Sequence, residues 1–282
     1  MPRITAPDIL KMKGKGEKIA MLTAYDYPMA KMADAAGVDM VLVGDSLGMV
    51  IQGQPDTLRV TLRDMIYHGR CVAAGLSRAH LTVDMPFMSY QVGPRQALRN
   101  AGRLVKEGLA QSVKIEGGVR SADAVKMMVD AGIPVVGHIG LTPQSVNAMG
   151  GFKVQARERE AAVRLVAAAK ELQHAGCFAI VLEGIPDEVA AMVTDALDVP
   201  TIGIGAGPRC DGQVLVMHDL LGIEDRVAPK FVRRYADVKG LSVEAIRSFA
   251  GDVRDGSFPS AAESYHLSAE QAEQMALYGA QG

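Results

Sequence analysis

The chain has 282 residues, enough for one large α/β barrel or for two ordinary domains. Thirty Lys and Arg against 32 Asp and Glu leave a formal charge of −2, and the basic excess or clustered basic stripe of a nucleic-acid binder is missing. Hydrophobic residues make up 49% but aromatics only 5%, with no tryptophan, so the apolar content is aliphatic, as in α/β proteins with buried Val/Ile/Leu strands.

Cys71, Cys177 and Cys210 are odd in number and far apart, and no C-x-x-C pair occurs, which excludes a disulfide framework and a thiolate zinc site. The stretch M-P-R-I-T-A-P-D-I-L-K-M-K does not read as a signal peptide, and no apolar run reaches the roughly 18–20 residues that span a bilayer. The expectation is a soluble, cytoplasmic protein.

In chain order, aliphatic runs predict strands at 19–26, 39–45, 80–86, 112–118, 133–140, 178–185, 200–207 and 214–220. Each is apolar on both faces, as a strand buried between two layers must be. Amphipathic stretches between them predict helices at 28–36, 94–107, 121–131, 157–175 and 187–197. Gly37, Gly108, Gly132 and Gly176 stand as stop signals after the first four, and Ser121 as an N-cap for the third. The recurring phrase is helix, A-G or E-G, short turn, aliphatic strand. Eight such units in about 200 residues predict an α/β (β/α)8 TIM barrel, with a doubly wound open sheet as the alternative because element order does not show closure. No linker divides the chain, so residues 1–282 read as a single barrel domain, with roughly 242–282 as an appendage of extra C-terminal helices.

Polar residues at the C-terminal ends of these strands carry the functional signal: Asp26, Asp45, Asp84, Glu116, His138 and Glu183, in six different units. Any one of them could simply cap the next helix. In a barrel all six would converge on the face where such enzymes place their chemistry. Carboxylates crowded within about 4–6 Å repel, so either protons are shared or a divalent cation is bound. An oxygen donor set with no strand-end cysteine suits Mg2+, which takes one or two protein carboxylates and keeps several waters.

Asp45 and Asp84 leave buried strands directly and are the first candidate ligands; Glu116 would bind directly or through water, or pair with Lys114 two residues away on the same strand face. Lys114 lies inside an aliphatic run, where an unpaired charge is expensive. It would form a Schiff base or, kept charged by neighbouring acids, hold a substrate carboxylate; the second role is favoured. Glu183 follows A-I-V-L and is the candidate general acid or base, a helix cap being the plain alternative. His138 is either a ligand-orienting group or a hydrogen-bonded strand-end histidine, and is not assigned to the site. G-I-G-A-G (203–207) lacks the spacing of a dinucleotide motif and reads as close strand–helix packing.

Several runs then carry a resemblance: T-A-Y-D-Y (23–27), V-G-D-S-L-G-M (43–49), D-M-P-F-M-S-Y (84–90), V-K-I-E-G-G (113–118), G-H-I-G-L-T-P-Q-S-V-N (137–147), G-G-F-K-V-Q (150–155), I-G-I-G-A-G (202–207) and D-G-Q-V-L-V-M-H-D (211–219). The chain resembles the ketopantoate hydroxymethyltransferase family over roughly residues 5–260. Ala156 stands where that pattern has glycine, and the tail after about 262 lies outside it. The resemblance implies a (β/α)8 barrel and Mg2+-dependent transfer of a hydroxymethyl group from 5,10-methylenetetrahydrofolate to 3-methyl-2-oxobutanoate, giving 2-dehydropantoate for pantothenate and coenzyme A synthesis. It also implies Asp45, Asp84 and an outer Glu116 on the metal, Asp45, Ser46, Asp84 and Lys114 on the oxoacid, and Glu183 as proton acceptor. A large homo-oligomer, such as a decamer with exchanged C-terminal helices, is implied as well.

Two other functions are weighed against this one. A Mg2+-dependent oxoacid C–C lyase or phosphomutase of the isocitrate-lyase type would share the barrel and the enolate chemistry, but the K-x-C-G-H run of many such lyases is absent. A non-catalytic sensor barrel would have lost its strand-end acids, and all are present.

Overall fold

The computed structural model describes residues 2–224 and 229–279. The chain divides into two compact units, Met1–Tyr235 and Ala236–Gly282.

The first unit is a closed parallel barrel whose strands follow one another in chain order: β1 Ile19–Thr23, β2 Met40–Val43, β3 His80–Asp84, β4 Ser112–Glu116, β5 Val135–Gly140, β6 Ala179–Glu183, β7 Thr201–Ile204 and β8 Gly212–Leu215. Closure rests on β1 pairing with both β2 and β8. The aliphatic runs form strands because every residue of β2, β3 and β4 is buried, which only β-branched and aliphatic side chains sustain without a polar partner.

Two cores result. Outward residues such as Val41, Leu81, Val113 and Leu182 pack against the surrounding helices. A second cluster, including Met21, Met40, Leu42, Val136, Val181, Ile202 and Val214, takes the alternate positions and fills the barrel. Ala6 and Ile9 join this inner cluster, so the amphipathic helix Ala6–Lys15 closes the N-terminal end of the barrel. Lys13 secures it, bonding Asp211 at 2.9 Å and the Thr194 carbonyl at 3.0 Å.

The inner face is not apolar throughout. His80, Thr82 and Asp84 on β3, Ser112, Lys114 and Glu116 on β4 and His138 on β5 form a buried polar sector. At its lower end His80 Nε2 lies 2.9 Å from Ser112 Oγ, which lies 2.8 Å from Thr82 Oγ1. Burying His80, Ser112 and Thr82 is tolerable because each has a partner.

Three sequence expectations are corrected. The eighth run, placed at 214–220, is the strand Gly212–Leu215 followed by the helix Met217–Leu221, with Met217 N–H donating to Thr23 Oγ1 at the turn. A Cβ on Gly212 would stand 2.5 Å from the Ile19 carbonyl oxygen, so the seam between β8 and β1 requires glycine there. The helix Leu62–Gly75, capped by a reciprocal Thr61–Asp64 box, was not foreseen. Ser121 occupies the N-cap position without capping: its hydroxyl donates instead to the Glu116 carbonyl at 2.8 Å. In G-I-G-A-G the packing reading fits, since a Cβ on Gly207 would fall 2.2 Å from that of Asp187. Ala156, standing in place of the family's glycine, has φ +55°.

The second unit contains the helix Val238–Asp255, the 3-10 turn Ala261–Glu263 and the helix Ala269–Gly279. Asp237 caps the first helix through Gly240 N–H, and Leu241, Ile246 and Phe249 on it are exposed. Among the described residues no helix is long and apolar enough to cross a membrane.

Candidate active site

Strand register brings the polar residues together. Asp84 is the ladder partner of Lys114, Glu116 of His138, and Gly140 of Glu183, so β3 to β6 deliver their ends side by side at the mouth of the barrel. Asp45 arrives on the turn after β2, where its backbone N–H donates to Asp84 Oδ2 at 3.0 Å. Asp45, Asp84, Lys114, Glu116 and His138 are each no more than 5% exposed.

Lys114 Nζ lies 3.0 Å from Asp84 Oδ1 and 3.1 Å from His138 Nδ1. Glu116 therefore does not pair with Lys114; its Oε1 lies 3.5 Å from His138 Nδ1. On the other side of the ring, His138 Nε2 is 3.1 Å from Glu183 Oε2 but off the line of a hydrogen bond. The Glu183 side chain is 16% exposed and opens to the barrel mouth, unlike the carboxylates beneath it. Ser46 follows Asp45, and its Oγ is 2.7 Å from the hydroxyl of Tyr25, which is fully buried.

The electrostatics follow from this crowding. Burial, then Asp84 and Glu116, push the Asp45 carboxyl up to about 8. Burial also raises Asp84, against the pull of Lys114. For Lys114 burial favours the neutral amine, but Asp84, Asp45 and Glu116 outweigh it and keep the ammonium charged. Burial and the Lys114 charge work against a proton on His138, while Glu116 and Glu183 favour one and prevail, to about 9. Four carboxylates thus face two cations, and with Asp45 and Asp84 raised by burial all four cannot ionise together unless further positive charge is supplied.

An oxygen-binding dication would supply that charge and let the carboxylates ionise. Asp84 Oδ1 faces the Lys114 ammonium at 3.0 Å and Glu116 Oε1 lies 3.5 Å from His138 Nδ1, neither in good hydrogen-bond geometry, so both buried oxygens keep lone pairs that a hard cation would use. Among the described residues no group of three or more His, Cys, Asp or Glu side chains is arranged to hold a metal ion by itself. Mg2+ does not need one, because it commonly keeps several waters and takes one or two carboxylates.

Sequence reasoning placed Asp26 here, and the structure does not: its Oδ1 accepts Met29 N–H at 2.8 Å and caps the helix Tyr27–Ala35. The sequence analysis left His138 unassigned, yet it touches Lys114, Glu116 and Glu183. It quoted Gln144, Tyr25 and Tyr90 within the runs of the resemblance but gave none of them a role. Gln144, 5% exposed, bonds Asp45 Oδ2 through Nε2 at 2.8 Å and Glu116 Oε2 through its backbone N–H at 3.0 Å. A search for titratable side chains passes over an amide; the signal available was its position just past the strand bearing His138. Cys177 is buried and pushed up to about 12, which leaves no thiolate nucleophile there.

A closed eight-stranded barrel with acids, a lysine and a histidine gathered at its C-terminal strand ends defines a (β/α)8-barrel enzyme. The chain belongs to the ketopantoate hydroxymethyltransferase family, whose model matches residues 3–261. It is 57% identical to the 3-methyl-2-oxobutanoate hydroxymethyltransferase of Syntrophotalea carbinolica, over 93% of this chain and 98% of that protein. It is 55% identical to the protein of the same name from Syntrophobacter fumaroxidans, over 97% and 96%. Among solved structures, phosphonopyruvate hydrolase with oxalate and Mg2+ aligns with TM-score 0.60 at 15% identity, covering 98% of this chain and 99% of that one. A crystal structure of 2,3-dimethylmalate lyase aligns at 0.58 and 18% identity, covering both chains fully. At those identities the structural likeness speaks for the barrel fold.

Proposed function

We propose that this chain transfers a hydroxymethyl group to 3-methyl-2-oxobutanoate from 5,10-methylenetetrahydrofolate, with one water consumed and 2-dehydropantoate and tetrahydrofolate as products, in pantothenate and coenzyme A biosynthesis. The observation that carries the reading is the line Asp84–Lys114–His138–Glu183 across four adjacent strand ends, with steps of 3.0, 3.1 and 3.1 Å.

The oxoacid offers a carboxylate, a keto oxygen and a C3–H that is too weakly acidic to leave unaided. Lys114, held charged by its acidic neighbours, pairs with the substrate carboxylate. Ser46, fixed by Tyr25, contributes a hydroxyl on the same side. Glu183 is the base: it is the carboxylate nearest the open mouth, it takes the proton from C3, and His138 at 3.1 Å fixes the position of its carboxylate. Water takes the methylene carbon from folate, breaking its two C–N bonds and releasing tetrahydrofolate, and the nucleophilic C3 bonds to that carbon at the formaldehyde level while its oxygen gains a proton and becomes the new hydroxyl. Asp45 and Asp84, with Glu116 as an outer ligand, would hold Mg2+, whose contribution is Lewis-acid stabilisation of charge developing on the keto oxygen.

The assay that tests this reading supplies Mg2+, the oxoacid and methylenetetrahydrofolate, and follows 2-dehydropantoate. Product is expected only with the folate present, together with exchange of the C3 proton in deuterated water. Product or oxoacid cleavage without folate would favour the lyase reading, and binding without exchange the sensor. The same proposal places the enzyme in the cytoplasm as a homo-oligomer, a decamer in the family's manner. The exposed Leu241, Ile246 and Phe249 support an assembly, and light scattering of the full chain measures it.

A further inference from the structure

The three carboxylates assigned to the cation share one pattern. Each commits one oxygen to a neutral N–H donor: Asp84 Oδ2 to Asp45 N–H, Asp45 Oδ2 to Gln144 Nε2 and Glu116 Oε2 to Gln144 N–H. Two of the three donors belong to one residue. Gln144 lies in the 3-10 turn Pro143–Ser145 after β5, so it ties carboxylates from the ends of β2 and β4 to a third part of the barrel.

We propose that Gln144 is the positioning residue of the cation site, and that Tyr90 orients its amide. This rests on the metal reading given above and adds a residue to it. The orientation of the amide is settled by its surroundings. Gln144 Nε2 is 2.9 Å from the Met85 carbonyl, which can only accept, so the NH2 group faces Met85 and Asp45. The opposite atom, Oε1, accepts from the Tyr90 hydroxyl at 2.7 Å and from Gln91 Nε2 at 3.3 Å. Both amide hydrogens and both acceptor positions are then used, so the side chain has no rotational slack.

The choice of an amide has a physical reason. A lysine or arginine at this position would hold Asp45 equally well but would cancel charge that the cation needs. The Gln144 amide fixes the direction of Asp45 and leaves its charge intact, while the backbone N–H of the same residue holds Glu116. Such supporting hydrogen bonds outside the ligands are typically worth about 10–100-fold in metal affinity.

Titration calorimetry of the full-length protein with Mg2+, in the absence of oxoacid and folate, tests this directly. Gln144→Met keeps the length of the side chain and removes the Nε2 donor to Asp45, leaving the backbone N–H on Glu116; its Mg2+ Kd is expected to rise about tenfold with circular dichroism unchanged. Tyr90→Phe removes only the orienting hydroxyl and is expected to weaken binding by about threefold, well short of that support's full worth. In activity titrations both variants should need more Mg2+ and regain kcat as it is raised, which a folding defect would not allow. A folded Gln144→Met protein with the wild-type Kd overturns the proposal while leaving the metal reading intact. Should the wild-type protein itself bind no Mg2+, both fall together. If Gln144→Met does not fold, Tyr90→Phe decides, and an unchanged Kd there overturns the assignment.

Discussion

Lys114 Nζ lies 3.0 Å from Asp84 Oδ1 across the β3–β4 ladder, with the two side chains 5% and 3% exposed. Water therefore screens the pair little, and the lysine is the cation that directly meets Asp84 in this acidic cluster. Lys114→Met should cost about 3–5 kcal/mol of stability, the usual result of removing one partner of a buried pair. It should also abolish oxoacid binding. Urea unfolding and calorimetry with 3-methyl-2-oxobutanoate read the two effects separately, and retained oxoacid affinity would remove Lys114 from its assigned role.

Glu183→Gln keeps the shape of the side chain and removes its basicity. The expected outcome is a kcat lower by about 10²–10⁴-fold, with Mg2+ affinity unchanged because Glu183 is not among the assigned ligands. Unchanged turnover would assign the base elsewhere, His138 being the neighbour within 3.1 Å.

His80 makes stability depend on pH. Burial lowers it to about 4, since the charged ring would be taken out of water inside the barrel, and the Ile4 carbonyl 3.2 Å away only partly offsets that. The unfolded chain takes up a proton near pH 6.5 and the folded one does not, so the stabilisation is complete above pH 6.5 and is lost as pH falls towards 4. The loss approaches about 3 kcal/mol. Unfolding of wild type and His80→Gln at pH 7 and 4.5 should show the stability gap closing at the lower value.

Ala156 holds a left-handed conformation at φ +55°, which costs an L-residue about 1–2 kcal/mol and glycine almost nothing. Ala156→Gly is expected to stabilise the protein by up to about 1 kcal/mol, after the extra chain entropy that glycine loses on folding. A lower Tm in a thermal melt would contradict this account. The sequence showed only that an alanine replaces the family's glycine; the backbone angle supplies the reason the pattern has glycine there.

What could be read from the chain depends on distance along it. The strands at 19–26 and 80–86 were legible because a buried strand needs consecutive aliphatic residues, and Asp84 because it follows one directly. The helix Leu62–Gly75 was passed over between its neighbours, although its Thr61–Asp64 cap was visible in the residue order. Asp26 and Asp45 look alike in sequence, each an acid just beyond an aliphatic run. One caps the helix that follows it and the other meets Asp84, and nothing local to either residue distinguishes them.

Local chemistry thus determined the barrel's strands, the strand-end acids and the buried lysine, because each follows from a short run of residues and its own solvation. Which acids share a site, that Lys114 pairs with Asp84 rather than Glu116, and that Gln144 grips two carboxylates were decided by closure of the barrel. Register sets those neighbours: residues 30 to 100 positions apart become hydrogen-bond partners only when eight strands meet in order.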